Sequence, residues 1–478
     1  MKLSLLLDGL VKERIFESKI NNISYEPKKC GEGDLLFLIN NRAINEYIAL
    51  TPKAVAIVTN ITFSHNTEVP IYTAINIREA LSTACSRMYC RDLSKIKFIG
   101  ITGTNGKSTT AIMLEKILCS YGYKVGYIGT GRIRVGDEIL SENYYSMTTP
   151  PPDILYSSIG KMENMGVEII VMEVTSHALD QARVSPINFE IGMFTNLSEE
   201  HLDYHKTMPE YLKAKKKLLE KSRHIVVNSD DPYGRDILFQ YKNADGCGCN
   251  FYTTVQVDEI KDMFFSGSEF NYRSDLNNVS IRLRLPGMYN IYNAILAIRA
   301  AEILEVPMIN IKKSIEKTQK IEGRFDVIDD SVKIIIDYAH TAFAFENLLK
   351  NLYSMKNIGQ NLCIVFGCGG ERDQGKRGRM GGISEKYADT VIVTSDNPRG
   401  EDPLMIIKEI TTPMKKSPIV IVDRKDAIRY AILSANEGDI IAIVGKGPEN
   451  YSISKGVYYS FNETEIIRNA LEERKKCE

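Results

Sequence analysis

GITGTNGKSTT, Gly100 to Thr110, stands between an apolar run, IKFIGIT (96–102), and a helix-like stretch, STTAIMLEKILCSYG (108–122). Its glycines at 100, 103 and 106 let the backbone bend so that successive N–H groups face a phosphate at a helix N-terminus. Lys107 is then placed to reach the terminal phosphates, and the Ser108 hydroxyl to ligate Mg²⁺. The ordinary phosphate loop has glycine where this chain has Ile101, so the pattern is a variant, GxxGxxGKST. Strand, loop and helix fall in the order that phosphate binding demands, which favours a nucleotide site over a turn that merely joins two elements.

Outward from this loop the pattern repeats. KVGYIGT, GVEIIVMEV and FEIGMFTNL read as further buried strands, several of them followed by helical segments, which implies a parallel sheet. A second series, VKIIIDY, NLCIVFG, DTVIVTS, SPIVIVD and DIIAIVG, begins near Val332 and predicts a separate α/β domain. Residues 1–95 are less regular, with strand-like DLLFLIN and AVAIVTN. The expected fold is α/β in three domains. These are an N-terminal domain (1–95), a central phosphate-loop nucleotide-binding domain (96–322) and a C-terminal Rossmann-like α/β domain (323–478). The linker is KTQKIEGRFDVIDD (317–330), after the apolar helix NAILAIRAAEIL.

A chain of 478 residues agrees with about three domains. Hydrophobic residues at 44% and charged residues at 25% are ordinary globular values. Sixty Lys and Arg against 61 Asp and Glu give no basic field for nucleic acid or anionic lipid, so any anion is bound locally. The nine cysteines form no CxxC pair or regular spacing, and the opening MKLSLLLDGL has only a short apolar run. A reduced, cytoplasmic protein is expected, without nucleic-acid or membrane partners.

Two further strand ends carry chemistry. GVEIIVMEV ends on Glu173, where an acidic ligand for the nucleotide's metal would sit, and runs into TSHALDQARV with His177. TNLSEEHLDYH (195–205) brings His201, Asp203 and His205. The helix EYLKAKKKLLEK follows; Tyr211, Lys215, Leu218 and Leu219 share one side of it, so Lys215 faces the apolar side while Lys213, Lys216 and Lys217 can point away. Burial lowers an amine's pKa and makes it chemically available.

These stretches, with MTTPPP, EVTSHALDQARV, LPGMYNIYNA, EGRFDVI, DYAHT, GCGGERDQGKR, TSDNPRGEDP and VGKGPENY, occur in the order of the Mur ligase family, which residues 95–455 resemble. The resemblance implies that Gly103, Thr104, Asn105, Gly106, Lys107, Ser108 and Thr109 hold ATP together with Asn290, Arg324, Asp337 and His340. It makes Ser108 a Mg²⁺ residue and Glu173 and His201 ligands of a second Mg²⁺, with Lys215 carbamylated by CO₂. Lys107, His201 and Lys215 are then the catalytic group. Thr148, Thr149, Thr175, Gln181 and Arg183 match the site for a UDP-linked muramoyl dipeptide. The implied reaction is ATP-dependent amide formation through an acyl phosphate, in peptidoglycan precursor synthesis, by a monomer acting on small molecules.

The added amino acid is argued from charge. Asn-Pro in DNPR, Asp396 to Arg399, favours a turn that projects Arg399. Guanidinium groups at Arg399 and Arg372 suit a carboxylate, and Glu449 an ammonium, with Asp396, Asn397, Pro398 and Gly445 completing the site. A distal zwitterion is what meso-diaminopimelate has and lysine lacks. The chain departs from the family in lacking an Asp-Ser-Arg triplet in SYEPKKCGEGDLLFLINN, and in having Glu200, Ala342, Phe343 and Pro448 where Asp, Pro, Asp and His are usual. The alternatives are a paralogue with another amino acid, a folylpolyglutamate synthetase-like ligase, and a nucleotide switch that ligates nothing.

Overall fold

A computed structural model describes residues 1–51, 53–62, 68–141, 147–251 and 253–477, the side chain of Cys477 excepted. They form two compact units. One comprises Met1–Thr102, Leu118–Phe194 and Lys213–Ile225; the other comprises Gly103–Ile117, Thr195–Leu212 and the chain from Val226 onward.

In the first unit, four strands run parallel in the order Phe189–Phe194, Lys97–Thr102, Ile169–Glu173, Val125–Gly129. Val125–Gly129 and Ile169–Glu173 are buried throughout, which is why they read as unbroken apolar runs rather than alternating ones. Two antiparallel strands, Arg132–Val135 and Glu138–Ser141, extend the edge. Gly100 has no room for a side chain, since a Cβ there would lie 2.6 Å from Leu218. The N-terminal residues add a small parallel sheet, Ile23–Ser24, Leu35–Leu38, Ala56–Thr59 and Ile71–Thr73. Leu3, Leu6, Phe37 and Tyr72 share one apolar core with Phe98, Ile128, Tyr156 and Ile170.

The second unit contains a six-stranded sheet in the order Asp326–Asp329, Lys333–Asp337, Ile440–Val444, Leu362–Phe366, Thr390–Val393, Ile419–Val420, parallel except for the first strand. All five strands of the second series are there, the SPIVIVD strand only two residues long. The stretch expected to be linker is partly strand: Asp326–Asp329 pairs antiparallel with Lys333–Asp337 through a tight turn. Its charged ends hid the two apolar residues, Val327 and Ile328, between them. Two apolar cores lie in this unit around the sheet's residues, one including Ile335, Phe345 and Phe366, the other Ile334, Ile428 and Ile467. The unit also holds an antiparallel group, Val255–Asp262, Ser268–Arg273 and Asn278–Leu283, which the sequence did not announce. Among the described residues no helix is long and apolar enough to cross a membrane, and no disulfide forms.

Candidate active site

The phosphate loop leaves the strand Lys97–Thr102 and enters the helix Lys107–Tyr121. Gly103 and Gly106 have φ of +145° and +86°, a region that side chains rarely adopt. A Cβ on Gly103 would sit 1.9 Å from Thr195 Oγ1, and one on Gly106 2.3 Å from Asn293 Oδ1. Neighbouring groups then fix the loop: Thr104 N donates to Asn196 O (2.9 Å) and Asn105 N to Asn196 Oδ1 (3.0 Å). Lys107 Nζ folds back onto the carbonyls of Gly103 (3.1 Å) and Thr104 (2.7 Å). Thr109 is buried in the first turn of the helix.

Four other residues expected at the nucleotide lie in the same unit. Arg324 Nη2 donates to Ser108 Oγ at 2.8 Å, spanning 216 residues of sequence. Asn290 is buried, donates to Pro286 O and accepts from Asn293 Nδ2, whose Oδ1 limits Gly106. Asp337 accepts from Phe325 N (2.7 Å) and Ala339 N (2.8 Å), and burial raises its carboxyl above the usual range against the pull of Arg324. His340 has Nδ1 at 2.9 Å from Tyr338 O and Nε2 at 3.3 Å from Glu200 Oε1.

Glu200 faces His201 as well, at 3.7 Å. Burial opposes its charge, yet the hydrogen bond to His340 and the electrostatic pull of His201, His340 and Lys107 hold its carboxyl far below the ordinary range. A longer acid where the family has aspartate therefore bridges two histidines 139 positions apart in sequence. The sequence marked Glu200 only as a departure; its flanking histidine was the signal.

In the first unit the structure gathers the residues expected to bind the muramoyl peptide around Glu173. That carboxylate is wholly buried and accepts from Tyr127 OH (2.8 Å), Thr130 N (2.9 Å) and Thr130 Oγ1 (3.3 Å). Thr148 Oγ1 is 3.2 Å from Thr130 Oγ1. Thr149 Oγ1 donates to Glu173 O and accepts from Thr175 N, both at 2.9 Å. Arg183 joins the group by donating to Thr149 O at 2.6 Å and to Gln181 Oε1 at 2.8 Å. Thr175 also caps the short helix Ser176–Asp180, which carries a half-buried His177. Lys215, on the helix Met208–Leu219, is 1% exposed, while Lys213 is exposed and Lys217 Nζ pairs with Asp180 at 2.9 Å.

The residues expected at the amino acid form a third group, again in the second unit. The segments GCGGE (367–371) and DNPRGE (396–401) lie backbone against backbone, Gly370 N donating to Asn397 O at 2.9 Å. A Cβ on Gly370 would sit 2.0 Å from Pro398 O. Arg399 (φ +52°) donates from Nη1 to Gly370 O at 2.7 Å, and Arg372 is exposed beside it, both within 4 Å of where a Gly369 Cβ would be. Gly445 makes room for Asp396, whose Oδ2 would be 2.9 Å from a Cβ there. Asn397 is turned inward: its Oδ1 accepts from Lys446 Nζ (2.9 Å) and Ile453 N (3.1 Å), and its Nδ2 donates to Glu449 Oε2 (2.9 Å).

Lys446 escaped the sequence reading, although its place between Gly445 and Gly447 after a strand repeats the signal that found Lys107. It is 1% exposed, donates to Tyr451 O at 2.6 Å and stands 3.5 Å from Asp396 Oδ1 and 3.9 Å from Glu449 Oε2. Burial works against charge on Asp396, but Lys446 and Arg424 keep its carboxyl ionised below the usual range. Glu449 is pushed the other way, by burial and by the Asp396 charge.

The arrangement offers backbone donors and cations for a polyphosphate, hydroxyls and carboxylates for a peptide-bearing substrate, and paired opposite charges for a zwitterion. Among the described residues no three His, Cys, Asp or Glu side chains form a metal centre by themselves. Ser108 Oγ in the second unit and the Glu173 carboxylate in the first are each oxygen donors of the kind a hard cation takes alongside water and phosphate ligands.

Comparison with known proteins bears on the same residues. Residues 101–301 match the Mur ligase middle domain, and 323–447 the Mur ligase, glutamate ligase domain. The chain is 38% identical to the UDP-N-acetylmuramoyl-L-alanyl-D-glutamate–2,6-diaminopimelate ligase of Clostridium perfringens, covering 99% of this chain and 100% of that one. It is 36% identical to the ligase of the same name from Caldanaerobacter subterraneus, covering 96% of each. A solved structure of such a ligase superposes with a TM-score of 0.68 at 25% identity, over 99% of this chain and 100% of the other. Two family models that follow one another along the chain, with relatives at 36–38% identity over 96–99% of it, show that this chain belongs to the Mur ligase family of ATP-dependent amide ligases.

Proposed function

We propose that this protein adds meso-diaminopimelate to UDP-N-acetylmuramoyl-L-alanyl-D-glutamate in peptidoglycan precursor synthesis, in the cytoplasm and as a monomer. The observation that carries the reading is the DNPR turn itself, which sets Arg399 against the Gly369–Gly370 backbone beside Arg372 and, through Asn397, holds the Glu449 carboxylate. Full-length relatives at 36–38% identity that bear the name of that ligase support it.

In the first step a substrate carboxylate oxygen attacks the γ-phosphorus of ATP, the bond to the β-phosphate oxygen breaks, and ADP leaves an acyl phosphate. The neutral amine of the amino acid then attacks the acyl carbon, loses a proton, and expels inorganic phosphate as the amide forms. Lys107 and the loop N–H groups of residues 103–109 take the polyphosphate charge, Asn290, Arg324, Asp337 and His340 hold the nucleoside and phosphates, and positioning supplies much of the acceleration. Mg²⁺, bound with Ser108 for one ion and with Glu173, His201 and carbamylated Lys215 for a second, would supply neutralising charge along the phosphate path. Thr148, Thr149, Thr175, Gln181 and Arg183 orient the muramoyl peptide.

The domain roles proposed follow the chain: residues 1–95 for the UDP-linked substrate, 96–322 for ATP and 323–478 for the amino acid. A folylpolyglutamate synthetase-like ligase would not be expected to carry the DNPR turn or the MTTP and SHALDQARV segments. ADP release by purified protein, with the muramoyl dipeptide and a panel of amino acids, tests the reading; dependence on both substrates with diaminopimelate best is expected, and ADP release without an amino acid, or with lysine best, contradicts it.

A further inference from the structure

Tyr338 follows the last residue of the strand Lys333–Asp337. Its ring lies 4.4 Å under the Arg324 guanidinium, the group whose Nη2 reaches Ser108 in the phosphate loop. Its hydroxyl donates to Glu449 Oε1 at 3.2 Å. The other Glu449 oxygen takes Asn397 Nδ2, and that amide cannot be turned round, because its Oδ1 faces the ammonium of Lys446 and the amide N–H of Ile453, which only donate. Both oxygens of Glu449 are thus oriented by groups locked elsewhere, Asn397 by a buried lysine and Tyr338 by the arginine beneath which it lies.

We propose that Tyr338 is a positioning residue for the amino-acid substrate: its hydroxyl aims the Glu449 carboxylate at the incoming ammonium. This rests on the function proposed above. Tyr451 also hydrogen-bonds this carboxylate, so loss of the Tyr338 hydroxyl removes one of its orienting contacts; the carboxylate's terminal torsion has a broad energy well, and the cost falls on capture of the amino acid rather than on phosphoryl transfer. The ring has a separate task, packing against Arg324, and phenylalanine preserves it.

Steady-state ADP release by the full chain, with ATP and the UDP-linked muramoyl dipeptide saturating and meso-diaminopimelate varied, tests this. Tyr338→Phe should raise KM for diaminopimelate about tenfold, as loss of a hydrogen bond to a charged group does, with KM for ATP unchanged. In a Glu449→Gln background the same substitution should add little, because Tyr338 acts through that carboxylate. An unchanged KM for diaminopimelate in Tyr338→Phe, a parallel rise in KM for ATP, or full additivity with Glu449→Gln overturns the inference while the proposed function stands. A wild type that releases no ADP with any amino acid overturns the proposed function, and this inference with it.

Discussion

Lys215 shows how much one residue's direction can decide. Lys213, on the same helix, reaches solvent and Lys217 pairs with Asp180, whereas Lys215, which shares its side of the helix with Leu218 and Leu219 by spacing, is 1% exposed. On the function proposed above, this lysine carries the carbamate. Lys215→Ala should lower ligation by about 100-fold or more, as loss of a group at the reacting charge does, with partial recovery when a short carboxylic acid replaces the carbamate. Replacing Lys216 should change the rate little; full activity in Lys215→Ala contradicts the role. Arg399 is the second case. Its Nη1 donates to Gly370 O, which holds the turn, and on the function proposed above the rest of its fork meets the substrate carboxylate. Arg399→Ala should therefore cut the preference for diaminopimelate over lysine by about 2–5 kcal/mol, thirtyfold or more, read as the ratio of kcat/KM values. An equal loss for both amino acids would assign the arginine to the turn alone.

Elements explain how such residues are placed within each unit. Strands end on Thr102 and Glu173 in the first unit and on Asp337 and Val444 in the second, and each is followed by a loop that carries candidate site residues. That much was legible, because a strand buried on both faces is an unbroken apolar run and a glycine-rich loop after it has few other uses. The strand Asp326–Asp329 and the antiparallel group from Val255 to Leu283 were not legible, since short strands with polar faces look like loops. Lys446 and Tyr338 stayed hidden for another reason: their value lies in partners, Asn397 and Glu449, that only the sheet order brings near. The Asp396–Glu449 pair gives this group a pH signature. Burial and the Asp396 charge raise the Glu449 carboxyl above the ordinary 4.5, so on acidification it takes its proton earlier than a solvated glutamate would. Because the folded value is the higher one, the associated stability is present below pH 4.5 and lost as pH rises through the folded value. The kcat/KM for the amino acid should fall on the acid side at a pH above 4.5, and Glu449→Gln should abolish that limb without loss of thermal stability at neutral pH. An acid limb that survives the substitution belongs to another group.

For the whole chain, the apolar cores set what can be removed. Leu3, Leu6, Phe37 and Tyr72 complete the core that also holds Phe98, Ile128, Tyr156 and Ile170. Deleting residues 1–90 would expose that surface to water, and the truncated chain should lose cooperative thermal unfolding; a sharp transition like that of the intact protein would mean that the remainder closes its own core. The intact protein offers the most direct test of the central claim, that one chain joins ATP cleavage to amide formation with a zwitterion-bearing amino acid. ADP release should be measured with the UDP-linked muramoyl dipeptide and, in turn, meso-diaminopimelate, lysine and no amino acid. Release that needs both substrates and is fastest per unit concentration with diaminopimelate is the result predicted; release that proceeds without an amino acid, or prefers lysine, contradicts it.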